Sequence, residues 1–269
     1  MSEHRIHTFT AGEAGLFVNS YLVESDDGVV LVDASLLLSD SRALAERVAE
    51  VGKPLLGVFV THAHPDHFNG LPVVAGDGVP VYASAEVADT IARIAEPKRA
   101  QWQPVYGDEW PDKHRVPDHR LSDGEVVDLA GLRFTLHTAG AAESHADSYV
   151  VLDDRVFIGD LAFPGVHSYT ADGHTGDWLA TLDRLVTELE GRTLLPGHGT
   201  PGGVELLVEQ RRYLTAYREA VTRLAGGAPS LTGEQRERLT AEMTEFLPGA
   251  PLTWMIGLGA DAVAAELAG

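Results

Sequence analysis

The sequence predicts an α/β fold with a helical C-terminal extension, and three observations carry that expectation. Two runs of short apolar strands are each followed by an amphipathic helix. From Val204 onward the composition shifts to helix formers, with apolar residues at near-helical spacing. The 269 residues are 44% hydrophobic and 22% charged, enough for a sizeable core without disulfides in a chain that has no cysteine.

Taken in order, residues 6–9, 17–23 and 29–33 read as an antiparallel meander, with Asp26-Asp27-Gly28 as a hairpin turn. Residues 39–51 form an amphipathic helix, capped by Ser39 or Asp40, with Leu44, Val48 and Val51 on one face. The apolar run 55–60 is a buried strand, and Phe68-Asn69-Gly70 opens a short helix or turn. A strand at 79–82 and a helix at 84–95, capped by Ser84, continue a βαβ rhythm. Residues 96–117 break it. Pro97, Pro104, Pro111 and Pro117 separate Trp102, Tyr106 and Trp110, which predicts a long irregular loop that either lines a pocket or is a surface excursion pinned by its aromatics. Hairpins follow at 125–138, around Ala130-Gly131, and at 149–158, around Asp153-Asp154. Residues 177–189 are a helix with Trp178, Leu182, Leu185 and Leu189 on one side, and 193–195 a short strand. The tail holds a helix at 204–224, a second to 246 introduced by the capping-box pattern Thr232-Gly233-Glu234-Gln235, and a short one at 261–267. It either covers a site or makes a homodimer contact.

The formal net charge of −20 repels a nucleic-acid backbone and disfavours an anionic membrane, so the expected partner is a small-molecule substrate. No stretch approaches about 18 apolar residues, so nothing is expected to span a membrane. The opening Met1-Ser2-Glu3-His4-Arg5 is followed by no apolar segment that could serve as a signal peptide, and a cytoplasmic protein is expected. Without cysteine there are no thiol ligands or nucleophiles, which leaves histidine and carboxylates.

Those residues cluster in Thr61-His62-Ala63-His64-Pro65-Asp66-His67, directly after the 55–60 strand. His62 and His64, two apart, leave an extended chain on the same face. Pro65 ends the strand, and a turn there can bring Asp66 and His67 to the same point. Imidazole and carboxylate together suit zinc, iron or manganese.

The pattern His62-x-His64-x-Asp66-His67 resembles the signature of the metallo-β-lactamase-fold hydrolases. Further matching features are the strand ending at Asp33, the loop around Glu143 to His145, Gly159-Asp160, and Pro196-Gly197-His198-Gly199. The resemblance covers about residues 5–203. It implies a four-layer αββα sandwich, with residues 1–203 as the catalytic domain and 204–269 as a helical appendage of the same domain. It implies a binuclear site in which His62 and His64 hold the first metal, Asp66, His67 and His198 the second, and Asp160 bridges both. Asp33 either supports the metal loop by hydrogen bonds or is a strand-end turn residue. One position departs from the family pattern, which usually has a histidine after the strand ending near Gly140. Counting back from Asp147-Ser148 without a gap puts Glu143 there, while His145 needs a two-residue shift. A carboxylate tilts the site towards manganese or iron, a histidine towards zinc, the metal expected overall.

The chemistry implied is hydrolysis of a small ester, lactone, thioester or amide by a metal-bound hydroxide, since a metal lowers the pKa of bound water to about 7. Asp66 can accept a hydrogen bond from the nucleophile, and His167 or Tyr169, shortly after Asp160, can donate a proton or polarise the substrate. The competing functions are a β-lactamase, a mononuclear iron oxygenase acting on persulfides, and a non-catalytic metal-binding protein of the same fold.

Overall fold

Alternate residues along each strand face different layers, and this period of two builds the molecule. The computed structural model describes residues 4–269; Met1 to Glu3, part of the opening stretch on which the expectation of no signal peptide rests, lie outside the described residues. The first sheet runs in spatial order β1 (Arg5–Thr10), β2 (Asn19–Glu24), β3 (Val29–Val32), β4 (Leu55–Phe59), β5 (Val81–Ser84) and β6 (His119–Leu121). Its first three strands form an antiparallel meander, and β3 to β6 are parallel. Parallel neighbours need crossovers. They are α1 (Leu38–Glu50), the short α2 (Pro65–Phe68) and α3 (Leu71–Val74), and α4 (Ala85–Tyr106). The second sheet is β7 (Glu125–Leu129), β8 (Leu132–Gly140), β9 (Asp147–Leu152) and β10 (Arg155–Gly159), successively antiparallel, with β11 (Thr193–Pro196) parallel to β10 after α5 (Thr175–Glu188).

Val30, Val32 and Phe59 of the first sheet pack with Phe134, Leu136, Val150 and Phe157 of the second, forming the inner core. On the opposite face of the first sheet, Val29, Leu31 and Val58 pack against Leu44 and Val48 of α1 and Val87 and Ile91 of α4. Val156, Ile158 and Leu194 turn outward from the second sheet onto Trp178, Leu182 and Leu185 of α5 and Leu207 and Leu214 of α6 (Glu205–Ala225). Helix, sheet, sheet, helix is the four-layer αββα sandwich. The chain ends in α7 (Gly233–Phe246), α8 (Trp254–Leu258) and α9 (Ala260–Ala268), which pack on α6 around Tyr217, Leu239, Met243, Ile256 and Val263. The Thr232 capping box is formed as expected. Among the described residues no helix is long and apolar enough to cross a membrane.

Two local expectations are corrected. The N-terminus of α1 has no side-chain cap from Ser39 or Asp40; Glu109 reaches across instead, and the Ser39 amide donates to its Oε2 at 2.9 Å. The irregular loop expected at 96–117 is helical as far as Tyr106, because α4 runs through Pro97 and Pro104. Both prolines lie on the solvent-facing side, where water can hydrate the carbonyls they leave without a donor. Trp102 and Tyr106, four apart on the other side, pack with Trp110, Leu36 and Leu37. Tertiary packing therefore outweighs two breakers.

If α4 is continuous at Pro97, Pro97→Ala raises stability by about 2 kcal/mol, the helix penalty of about 3 kcal/mol less up to about 1 kcal/mol of unfolded-chain entropy. Chemical denaturation measures this. A neutral or destabilising result would place Pro97 in irregular chain.

Candidate metal centre

The loop 61–67 starts where β4 ends, beside the end of its parallel neighbour β3. Asp33 follows β3 with a left-handed φ of 63°. Its Oδ1 accepts the Thr61 amide at 2.9 Å, and its Oδ2 accepts the Thr61 hydroxyl at 2.9 Å and His67 Nδ1 at 2.8 Å. Asp33 thus supports the metal loop at both ends. Pro65 starts α2, and that single turn brings Asp66 and His67 round to His62. Glu143 comes from the loop between β8 and β9, which is tied to the metal loop by the Ser148 amide and hydroxyl, 3.0 and 2.5 Å from the Thr61 carbonyl. Asp160 follows β10 and His198 follows β11. The β11 loop is clamped by Asn19 Nδ2, which donates to the Pro196 and Gly199 carbonyls, and by the Tyr21 hydroxyl on Pro196.

The donors form two buried groups, His62 with His64 and Glu143, and Asp66 with His67, Asp160 and His198, with the donor atoms of each group within 4.8 Å of one another. Glu143 Oε2 is 2.9 Å from His64 Nδ1 and 3.5 Å from His62 Nε2. Asp66 Oδ2 is 3.2 Å from His198 Nε2 and 3.6 Å from His67 Nε2. Asp160 reaches both groups: Oδ1 lies 3.3 Å from His67, and Oδ2 lies 3.3 Å from His198 and 3.9 Å from His62. Gly197 makes that approach possible, since a Cβ there would sit 2.0 Å from Asp160 Oδ1.

Each histidine is held by the nitrogen that faces away from the centre. Asp33 can only accept, so His67 Nδ1 carries the proton; the Leu16 carbonyl, 2.9 Å from His198 Nδ1, imposes the same state there. The Thr61 hydroxyl gives its proton to Asp33 and so accepts from His62 Nδ1 at 3.1 Å. Asp172 Oδ2 accepts from His64 Nε2 at 3.1 Å. Once neutral, His62, His67 and His198 would turn the lone pair of Nε2 inward, and His64 that of Nδ1. Such outward partners orient metal-binding imidazoles.

His62 Nε2, His67 Nε2, both Glu143 carboxylate oxygens and Asp160 Oδ1 are buried with no hydrogen-bond partner. Five such atoms in one place cost several kcal/mol unless a cation takes them. This all-nitrogen and oxygen set fits zinc, manganese or iron. With only protons to balance the acids, the histidines are pulled up: burial opposes the charge, yet Asp160 and Asp66 hold His198 up to about 10, and facing carboxylates also raise His64 and His67. Burial and His67 push His62 down. Burial raises the Glu143 carboxyl, partly offset by His64, and also brings neighbouring Asp147 up to about 6.

Not every expected residue joins the cluster. His145 is half-exposed, with Nδ1 2.7 Å from His174 Nε2, because two residues beyond Glu143 the loop has turned outward. His167 is buried away from the centre, its Nδ1 3.1 Å from the Tyr213 hydroxyl of α6, so neither reaches the reacting face. Tyr169 does line the cleft, its ring 4.8 Å from that of His64 and its hydroxyl donating to Asp172 Oδ1 at 3.3 Å. Asp172 gave no sequence signal. It sits in the turn-like Ala171-Asp172-Gly173, and His64 is 108 residues earlier.

The donors open into a cleft of about 540 Å³ counted out to its mouth. The 96–117 segment lines it through Lys98, Trp102, Tyr106 and Trp110, and the tail reaches it through Trp254 and Met255 of α8.

If Asp172 orients His64, Asp172→Ala weakens metal retention about 10- to 100-fold in chelator competition. Asp172→Asn, which keeps an acceptor for His64 Nε2, loses less. Equal, negligible effects would make the contact incidental.

The metallo-beta-lactamase superfamily matches residues 14–198, more than half of the chain. The chain is 43% identical over 132 residues to the uncharacterized protein YobT of Bacillus subtilis (strain 168), covering 46% of this chain and 54% of YobT, about half of that relative's length. It is 25% identical over 203 residues to the probable metallo-hydrolase YqgX of the same organism, 74% of this chain and 93% of YqgX. It is also 26% identical over 175 residues to a hydroxyacylglutathione hydrolase of Xylella fastidiosa (strain M12), 63% of this chain and 55% of that enzyme. Among solved structures, a metallo-beta-lactamase family protein from Thermus thermophilus superposes with a TM-score of 0.68 at 21% identity, over 97% of this chain and 92% of its own, a likeness of fold. With the histidine motif, the two sheets and the buried donors in agreement with the matched family, this chain belongs to the metallo-β-lactamase superfamily.

Proposed function

We propose that this protein is a binuclear metal-dependent hydrolase of a small ester, lactone, thioester or amide. The observation that carries the reading is the set of buried, partnerless donor atoms in two adjoining groups while the histidines' other nitrogens are held. Relatives named as a probable metallo-hydrolase and a hydroxyacylglutathione hydrolase support the reaction class. His62, His64 and Glu143 would hold one ion, Asp66, His67 and His198 the other, and Asp160 both; zinc is the proposed metal, with manganese or iron as alternatives given the carboxylate at 143.

When bound, such ions supply an activated water at neutral pH and polarise the substrate carbonyl. Asp66 lines the cleft, and in the metal-free protein His67 and His198 hold its carboxyl well below the usual range although burial opposes its charge; with metal bound, the cations take over that role. It can therefore accept a hydrogen bond from the attacking water and relay the water's proton to the leaving atom. Burial and then Asp172 push the Tyr169 hydroxyl up, so it stays protonated and cannot act as a base. Its proton is given to Asp172, which makes it a support for the Asp172–His64 pair.

Elemental analysis is expected to find two metals per chain, and His62→Ala and Asp160→Asn to abolish ester hydrolysis while leaving the fold. One tightly bound iron with no second metal after zinc or manganese loading would overturn the reading in favour of the oxygenase. Glu143→Gln is expected to lose metal faster than His145→Ala; the reverse order would move the ligand to His145.

Metal uptake is expected to strengthen as pH rises. His198 is held up to about 10 in the metal-free protein and must be neutral to ligate, so below that pH a proton has to leave first. Titrating metal into weakly buffered metal-free protein at neutral pH should release protons. Proton-free, pH-independent uptake would remove His198 from the ligand set.

A further inference from the structure

Part of the cleft's lining is a run of neighbouring aromatic rings. Trp110 stacks with Tyr106 at 6.1 Å between centroids, Tyr106 neighbours Trp102 at 6.2 Å, and Trp102 meets Trp254 edge-on at 6.3 Å. Trp102 and Tyr106 come from the stretch of α4 that continues past Pro97, and Trp254 comes from α8, more than a hundred residues later. Two remote parts of the chain therefore build one surface. Phe163 also lines the cleft and lies flat against His198 of the candidate centre, at 5.1 Å and 11° between planes. Trp254 is 45% exposed, a large apolar ring left open at the mouth. In a chain of net charge −20, Lys98 is the only lysine or arginine among the described residues that lines the cleft, and its ammonium rests 5.7 Å over the Tyr169 ring.

A hydrolase needs its donors to meet a carbonyl; it does not need three tryptophans beside them. We infer that the cleft selects carbonyl substrates carrying an unbranched alkyl chain, which lies along the Trp110–Tyr106–Trp102–Trp254 wall while the carbonyl meets the metals. This rests on the hydrolytic reading above and adds the substrate class. A cleft of about 540 Å³, counted out to its mouth, has room for a chain of several methylenes. The wall offers apolar area but few hydrogen-bond partners, so binding energy is gained methylene by methylene. In the reaction, water adds to the acyl carbon, the bond to the leaving heteroatom breaks, that atom takes up one of the water's protons, the other passes to solvent, and the alkanoate departs.

The test uses the metal-loaded full chain and two ester series, p-nitrophenyl alkanoates from acetate to octanoate and n-alkyl acetates from methyl to octyl. In at least one series kcat/KM is expected to rise about fourfold per added methylene until the cleft is filled. Trp254→Ala should lower the ratio of long-chain to short-chain kcat/KM several-fold, and Trp254→Phe should restore most of it. A separate readout needs no turnover. Three of the four tryptophans line the cleft, Trp178 being the one in the core, so n-alkanols of increasing length should shift intrinsic tryptophan emission to the blue with rising affinity, less so in Trp254→Ala. Flat chain-length profiles in both series, or a slope indifferent to Trp254, would overturn the inference while leaving a hydrolase. Length-dependent alkanol binding without hydrolysis of any ester would keep the apolar site and remove the hydrolytic function. Absence of both would remove both.

Discussion

One buried carboxylate, that of Asp33, is the constraint on which the rest of the centre depends. It stands at the end of β3, and β3 pairs in parallel with β4, so strand register alone sets it beside the start of the metal loop. There it accepts a backbone amide and a hydroxyl from Thr61 and an imidazole proton from His67. Its oxygens act as acceptors in all three bonds, so the partners' roles follow from it. Thr61 must donate to Asp33 and hence accept from His62; His67 must turn its bare nitrogen inward. The left-handed backbone at Asp33 is uncommon for a residue with a side chain, although aspartate tolerates it better than most. The protein accepts that strain where it fixes two ligands at once.

Much of the sandwich was legible because its signals are local. Apolar alternation marked the strands, and the ligand candidates stand just beyond strand ends, where a strand's own run announces them. Glu143 was reachable by counting from Asp147-Ser148, and the structure gives that count a cause: Ser148 is bonded to Thr61, so the spacing back to Glu143 is fixed from a pinned residue. His145 has the more usual ligand chemistry, but direction within a short loop does not follow from residue type. His167 misled for the same reason, since closeness in sequence to Asp160 says nothing about which side of the chain an imidazole leaves. Asp172 was out of reach altogether, its partner being remote in sequence and its own surroundings reading as a turn.

The 96–117 segment shows how a correct local rule is outvoted. Proline interrupts helices by removing a donor and crowding the preceding turn, and on a buried face Pro97 and Pro104 would do so. Both face water here, while Trp102 and Tyr106 on the other side bury against Trp110 and the loop at Leu36 and Leu37. The four-residue spacing of Trp102, Tyr106 and Trp110 was present in the sequence as a helical signal, weaker to the eye than four prolines. The tail poses the same difficulty at longer range. That α8 supplies part of the cleft depends on α6 to α9 folding back over α5, which no window of sequence contains.

The order in which the donors occur along the chain sets when the centre can exist during synthesis. Strands β3 and β4 present His62, His64, Asp66 and His67 early, but Glu143, Asp160 and His198 leave the ribosome in that sequence and much later. At about 5–20 residues per second, several seconds separate the first histidine from the last. Throughout that interval a nascent chain offers only an incomplete set of ligands. The full donor set arrives only with the closing of the second sheet by β11, so capture of the proposed metals would report that the sandwich is assembled, and a chain truncated before His198 lacks a member of the second group of donors.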